Sequence, residues 1–184
     1  MKAEIFSVGT EILLGEILDT NAKYIATELA NIGIDVFYKT SVGDNEKRLL
    51  DAIDIAYKRA DIIISTGGLG PTDDDLTKET FAKYFNKNLV TDKESLENLK
   101  SYYKNDYMPK SNLKQVDMPE GSIVLVNENG TASGCIIQEN NKIAVILPGP
   151  PKECIPIFEK QVIPILQQYT SKVLVSKNLK LCGI

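Results

Sequence analysis

The sequence specifies an α/β protein built on a mostly parallel sheet, and three features carry that reading. Apolar runs of strand length alternate with amphipathic helical stretches in the order βαβαβα, and the connections between them are short. The third feature is the run Asp61-Ile-Ile-Ile-Ser65, which is uninterrupted in the manner of a strand buried on both faces. Right-handed crossovers follow from that order.

Each element has a local cause. Residues 3–8 read as the first strand, ending at Gly9, with a loop over residues 10–19. Asp19 or Thr20 is placed to cap a helix starting near Asn21; its stripe is Ala22, Ile25, Ala26 and Leu29, and Gly33 is its stop. Residues 34–40 form the second strand, followed by a helix that Asp44 can cap, striped by Leu49, Ile53, Ala56, Tyr57 and Ala60. A glycine-rich turn after the third strand leads to a helix over residues 78–85. Residues 87–121 break the rhythm: Thr91-Asp-Lys-Glu94 is a capping-box pattern, opening a helix with Leu96, Leu99 and Tyr103 on one side. Tyr102, Tyr103 and Tyr107 gather there, either as an excursion packed on its own aromatics or as a lid or subunit contact that stacks on a base. Short strands are expected over residues 122–126 and 134–138 around the turn Asn127-Glu-Asn-Gly130, and a buried strand over 142–147. Pro148-Gly-Pro-Pro151 opens a last helix to about residue 169, kinked or divided at Pro156 and Pro164. A further strand begins at residue 172. The reading is therefore a domain over residues 1–170, with 171–184 as the start of a linker to a further C-terminal region.

At 184 residues the chain can bury a substantial core, and 43% apolar with 25% charged residues is ordinary globular composition. A net charge of −4 gives no basic footprint for nucleic acid. No apolar stretch approaches the ~18 residues of a membrane span, and residues 1–6 run into a strand rather than a signal peptide. Cys135, Cys154 and Cys182 are odd in number and widely spaced, which suits inert thiols in a reducing cytoplasm. There is no histidine, which excludes Ser-His-Asp and Cys-His nucleophilic sites and histidine-ligated zinc.

Four polar or glycine-rich turns follow apolar strands: Gly9-Thr-Glu11, Gly43-Asp44, Gly67-Gly-Leu-Gly70 and Pro148-Gly-Pro-Pro151. In an open α/β sheet such turns share one edge, where ligands bind. Glycines let the backbone approach an anion and a helix N-terminus attracts it, but Asp73, Asp74 and Asp75 at the same turn would repel a bare phosphate. Either a divalent cation bridges the two or the carboxylates act chemically. Asp44 and Asp75 are the first candidates for metal-binding and acid–base roles. The structural alternatives are a helix N-cap for Asp44, a capping-box acid answering Thr72 for Asp75, and a first-turn acid for Glu153. Neither the P-loop nor the dinucleotide fingerprint spacing is present, so a kinase or conventional nicotinamide dehydrogenase is not expected.

Gly9-Thr-Glu-Ile-Leu-Leu-Gly15, Asp19-Thr-Asn21, the stretch from Thr66 to Thr77, Gly130-Thr-Ala-Ser-Gly134 and Leu147-Pro-Gly-Pro-Pro-Lys-Glu153 together resemble the N-terminal domain of the CinA competence/damage-inducible family. That domain is similar to the molybdopterin-binding MoaB/Mog fold, a three-layer α/β/α sandwich with a mostly parallel sheet. The resemblance implies a cytoplasmic homo-oligomer, commonly a dimer, with a C-terminal nicotinamide-mononucleotide amidohydrolase domain in the full-length protein. It further implies hydrolysis of ADP-ribose to AMP and ribose 5-phosphate, dependent on Mg²⁺, Mn²⁺ or Co²⁺ and helped by K⁺. Asp44 and Asp75 match the essential acids of the molybdopterin relatives. On the matching motifs, phosphate and nucleotide contacts fall to Gly9, Thr10, Glu11, Asn21, Thr66, Gly67, Gly68, Gly70, Thr72, Ser133, Gly134, Pro148, Gly149, Pro150 and Glu153. The rival readings are molybdopterin binding or adenylyl transfer at the same cleft, and a non-catalytic nucleotide-sensing module. Leu69 and the pair Thr10-Glu11 depart from the usual pterin-enzyme pattern and favour the CinA reading.

Overall fold

The computed structural model describes residues 1–103 and 108–170. Tyr107, Cys182, the strand expected from residue 172 and the expected linker 171–184 lie outside them.

The first half is the expected alternation. It comprises β1 (Lys2–Val8), α1 (Thr10–Leu13), α2 (Thr20–Asn31), β2 (Asp35–Val42), α3 (Glu46–Tyr57), β3 (Ile62–Thr66) and α4 (Thr77–Tyr84). The excursion contains β4 (Leu89–Thr91), α5 (Lys93–Tyr103), a 3₁₀ segment (Lys110–Val116) and β5 (Asp117–Pro119). Then come β6 (Ile123–Leu125), β7 (Gly134–Glu139), β8 (Lys142–Leu147), α6 (Pro151–Ile157), a π-helical turn (Phe158–Val162) and α7 (Ile163–Leu166).

Among the described residues, six strands form one sheet in the order β2-β1-β3-β8-β7-β6. β1 runs parallel to β2 and β3, and β3 parallel to β8, while β7 is antiparallel to both β8 and β6. Side chains alternate across the sheet, so the central strands feed two cores. Ala3, Ile5, Ile62, Ile64, Val145 and Leu147 face Ala22, Ile25 and Leu29 of α2 and Cys154 and Ile157 of α6. Phe6, Val8, Ile63, Ala144 and Ile146 face Leu49, Ile53 and Ala56 of α3 and Phe81 of α4. This is the three-layer α/β/α sandwich. Ile62, Ile63 and Ile64 are fully buried, each contributing about 1.5–3 kcal/mol by area.

Local signals explain the ends of α2. The Asp19 carboxylate accepts the Ala22 N–H at 2.9 Å. At the other end Gly33 takes φ +77°, and the Ile34 N–H returns to the Leu29 carbonyl at 2.9 Å. Four expectations need correction. Residues 10–19 contain the short helix α1 rather than only loop. The cap of α3 is Asn45, whose side chain accepts the Arg48 N–H at 3.0 Å, because Asp44 is engaged elsewhere. The cap of α5 is Asp92, accepting the Ser95 N–H at 2.7 Å, because Thr91 is paired with Asp117 in the small β4–β5 sheet. The last helix stays continuous, and its prolines are accommodated by the π-helical turn between Pro156 and Pro164.

Candidate functional site

Three parallel strands, β1, β3 and β8, end side by side, and the turns leaving them meet. Gly67 has φ +95°, and a Cβ there would collide with the carbonyl oxygen of Val8. Gly68 has φ +67°, and its Cβ would collide with the Thr77 hydroxyl. Only glycine fits both places. The Gly67 N–H donates to the Leu147 carbonyl at 3.0 Å, and Gly149 packs close enough that a Cβ on it would lie 3.5 Å from the Gly67 Cα. Bare backbone from two turns thus forms the floor of a cleft of about 530 Å³.

Helix α4 does not take over directly from the glycine turn, as the sequence suggested. Residues 72–75 form a separate turn between them, in which the Asp75 N–H donates to the Thr72 carbonyl at 3.2 Å. Thr77, the first residue of α4, faces back: its hydroxyl donates to the Gly67 carbonyl at 2.9 Å and its N–H to the Gly68 carbonyl at 3.2 Å. The start of α4 therefore braces the turn.

The cleft gathers most of the residues singled out from sequence. Gly9, Glu11, Asn21, Asp44, Thr66, Gly67, Gly68, Gly70, Asp75, Pro148, Gly149, Pro150 and Glu153 all line it. Asp44 and Asp75 therefore share one cavity with the glycine turn. Asp44 Oδ2 accepts the Thr10 N–H at 2.9 Å and the Thr10 hydroxyl at 2.8 Å, tying the end of β2 to the start of α1. Asp75 Oδ2 accepts the Thr72 N–H at 3.1 Å and also the Thr72 hydroxyl. That is the acid's half of the expected capping box, built on a turn rather than a helix start; the Asp75 N–H goes to the Thr72 carbonyl and not to its hydroxyl. Gly70 leaves room for the Asp75 carboxylate, which a Cβ would strike.

Thr10, Thr72, Ser133 and Gly134 are not among the lining residues. The two threonines hold the two aspartates from behind. Ser133 is buried with its hydroxyl 3.1 Å from that of Ser95, and a Cβ on Gly134 would press on the Ile146 carbonyl, so both serve packing. From the same motif, Thr131 and Ala132 reach the cleft instead. Glu153 accepts the Asn127 amide at 2.7 Å while lining the cleft from the first turn of α6.

Asp74, one of the three aspartates of the turn, and Gln115, which no sequence motif singles out, also line the cleft. Hydrogen bonding at Thr72 and the nearby Lys114 ammonium hold the Asp74 carboxyl below its ordinary range. Gln115 arrives on the returning excursion. Buried Lys78 donates to the carbonyls of Gln115 at 2.7 Å and Lys114 at 3.3 Å, and Lys114 reaches the Thr72 carbonyl at 2.9 Å. Desolvation lowers the pKa of Lys78. No signal in the neighbourhood of Gln115 announces this placement; it depends on a lysine 37 positions away.

Comparison with known proteins gives the family of the chain. A family model described as a probable molybdopterin binding domain matches residues 4–168. A CinA-like protein of Kosmotoga olearia is 54% identical over all of this chain, which covers 45% of that protein. The chain thus spans about half the length of the curated relatives it matches. The crystal structure of CinA from Thermoplasma acidophilum, a protein of unknown function, is 34% identical with a TM-score of 0.83, covering 89% of this chain and 97% of that one. The molybdopterin biosynthesis enzyme MoaB of Thermus thermophilus shares the fold, at 18% identity and a TM-score of 0.58 over 93% of this chain and 99% of that one. These matches correct the expected activity: the family found is a molybdopterin-binding one, and the ADP-ribose pyrophosphatase reading does not stand. Among the described residues, no helix is long and apolar enough to cross a membrane. On the match of the family model and of these relatives, the chain belongs to the probable molybdopterin binding domain family, among its CinA-type members.

Proposed function

We propose that the cleft binds a molybdopterin-class ligand, a pterin carrying a phosphate, and that the domain is the ligand-binding module of a longer protein. The observation that supports this best is the meeting of the Gly67 and Gly149 turns beside the end of β1. Backbone without side chains faces a space of about 530 Å³ at the carboxyl ends of parallel strands, the size and place of a small-molecule site.

Charge decides how the phosphate enters. Glu11, Asp44, Asp74, Asp75 and Glu153 line the cleft, and among the described residues no lysine or arginine does. A divalent cation that arrives with the ligand offsets the repulsion. Among the described residues no three acidic or cysteine side chains come together as a metal cage. That suits Mg²⁺, which keeps several waters and uses one or two carboxylates together with the phosphate. Asp44 and Asp75 would hold it, since each carboxylate is already oriented by a threonine. The ion supplies charge neutralisation; the chain supplies the glycine floor and the fixed carboxylates.

Titration of the protein with a pterin monophosphate, followed by pterin fluorescence, tests the reading. Binding is expected to tighten by about ten-fold when Mg²⁺ is added, the effect of ~1.4 kcal/mol. Asp44→Asn and Asp75→Asn are expected to remove that dependence on Mg²⁺. Absence of binding at millimolar ligand, with and without the ion, refutes the proposal.

A further inference from the structure

Residues 72–75 form the acidic turn of the cleft wall, and little holds them. Thr72, Asp73 and Asp74 are exposed, and Asp75 is half-buried. Within the turn, the Thr72 carbonyl accepts the Asp75 N–H at 3.2 Å, and Thr72 returns its own N–H and hydroxyl to Asp75 Oδ2. Among the described residues, only one hydrogen bond ties the turn to another element: Lys114 Nζ donates to the Thr72 carbonyl at 2.9 Å.

That lysine is itself anchored. It sits in the 3₁₀ segment Lys110–Val116, 42 positions along the chain from Thr72. Lys78 of α4, 2% exposed, donates to the carbonyls of Lys114 at 3.3 Å and Gln115 at 2.7 Å, which pins the backbone beneath the Lys114 side chain to the core. The Lys114 ammonium also pairs with Glu79 of α4 at 3.4 Å and is 26% exposed. It faces Asp74, whose carboxyl is held below its ordinary range by hydrogen bonding at Thr72 and by this charge.

The other threonine–aspartate pair of the cleft is held differently. Thr10 lies in α1, where its carbonyl accepts the Leu14 N–H at 2.9 Å, and the Gly9 N–H before it donates to the Val42 carbonyl at 3.0 Å. Thr72 has neither a helix nor a strand around it.

We propose that Lys114 is a positioning residue for the cleft: by holding the Thr72 carbonyl it fixes the threonine that presents Asp75, and so couples the 3₁₀ segment to that carboxylate. The inference rests on the reading above, in which Asp75 helps to hold a divalent cation, and adds what keeps the carboxylate in place. A lysine acting only through its charge has the opposite consequence. A positive charge beside the turn repels a cation, so its removal would tighten cation binding. Removal of a brace lets Asp75 swing away and weakens it.

The experiment uses Mn²⁺ alone as the probe, a cation that suits the same oxygen ligands as Mg²⁺, with free Mn²⁺ read by electron paramagnetic resonance. Lys114→Met, which keeps the side chain's length and removes its donor, is expected to weaken Mn²⁺ binding by about ten-fold. Lys114→Arg, which keeps a charged donor, is expected to stay within about three-fold of the wild type. Amide hydrogen exchange supplies a readout that needs no cation. The Asp75 amide is expected to exchange about ten-fold faster in Lys114→Met and near the wild-type rate in Lys114→Arg, with the amides of α4 unchanged. Unchanged or tighter Mn²⁺ binding in Lys114→Met overturns the proposal while leaving the cation reading of the cleft standing. Equal exchange at Asp75 in all three proteins also overturns it, as does faster exchange throughout α4, the mark of general loosening. If the wild-type protein binds no Mn²⁺, the cation reading fails, and the exchange rates alone decide whether Lys114 braces the turn.

Discussion

Asp44 holds Thr10 at two points, accepting its backbone N–H at 2.9 Å and its hydroxyl at 2.8 Å. The two residues are 34 positions apart, so the contact latches the turn after β2 to the first turn of α1 at the rim of the cleft. α1 has only four residues and buries none of them, and a helix that short has little stability of its own. The latch, together with the chain entry at Gly9, is what places Glu11 and Ile12 on the cleft wall.

Removing either half of the latch has a measurable cost. Thr10→Val deletes the hydroxyl donor and is expected to lower stability by about 1 kcal/mol, while Asp44→Ala, which loses both bonds, is expected to cost about 2 kcal/mol. Urea unfolding checks both. A loss below about 0.5 kcal/mol in Asp44→Ala would mean that α1 is held by something else.

A second polar contact is buried far more deeply. Glu4, 1% exposed, accepts Arg59 at both oxygens, at 2.9 and 2.7 Å, and the Thr40 hydroxyl at 2.6 Å. The Arg59 guanidinium also stacks 3.6 Å from the centre of the Tyr38 ring. Arg59→Met strands a carboxylate inside the protein. The expected loss is about 2–3 kcal/mol, reduced from the fully buried figure because Arg59 is partly exposed. The double variant Glu4→Leu with Arg59→Met is expected to recover most of it, since no charge is then left unpaired. Unfolding of the two singles and the double, as a cycle, separates the pair from the packing.

The sheet and its large helices were legible because their causes are local. Ile62, Ile63 and Ile64 declare a doubly covered strand, and the α2 stripe is capped by Asp19 and closed by Gly33 within its own sequence. What was not legible depends on distant partners. Asp44 and Asn45 are adjacent and equally suited to capping α3; Thr10, on another element, decides between them. β4 and β5 have three residues each, too few to show a period, and become strands only by pairing with each other. The site followed the same division. Glycine turns after strands located the cleft, but Gln115 lies in a 3₁₀ segment whose position is set by Lys78 and Lys114, and no pattern around it marks it. Ser133 and Gly134 show the converse: a motif can match while its residues serve packing behind the site.

Cys135 and Cys154 are both buried, and desolvation pushes each thiol up to about 12. At pH 8 an ordinary thiol near pKa 8.5 is partly ionised, whereas these hold about one thiolate in ten thousand. Neither is expected to react with a maleimide or disulfide reagent in the native protein at that pH, and both should react after denaturation; peptide mapping reads this directly. The stability consequence has a definite sign. The folded pKa lies above the unfolded one, so the contribution is fully present below about pH 8.5 and is lost as pH rises towards 12. Desolvated Lys78 acts in the opposite sense, its lowered pKa adding stability as pH rises to its unfolded value. Cys135→Ala should therefore show a shallower loss of stability between pH 9 and 11 than the wild type (a range of about two units above the ordinary thiol pKa).

The glycines at the cleft floor are not equivalent, and alanine substitution should separate them. Gly67 has positive φ, and its missing Cβ is replaced by the Val8 carbonyl, an immovable backbone group. Gly67→Ala is expected to cost more than about 2 kcal/mol, combining backbone strain with the collision. Gly149 has ordinary φ, and an added methyl would only touch the Gly67 Cα at 3.5 Å. Gly149→Ala should fold with a loss within about 0.5 kcal/mol. Gly70→Ala lies between: its methyl meets the Asp75 carboxylate, a movable side chain, so the fold survives while Asp75 leaves Thr72. Thermal unfolding of the three variants, with the Mg²⁺ dependence of pterin phosphate binding, should give loss of fold in the first, loss of the Mg²⁺ effect alone in the third, and little change in stability in the second. Equal melting temperatures for Gly67→Ala and Gly149→Ala would show that the Val8 carbonyl can move aside and that the floor of the cleft is not fixed by its backbone.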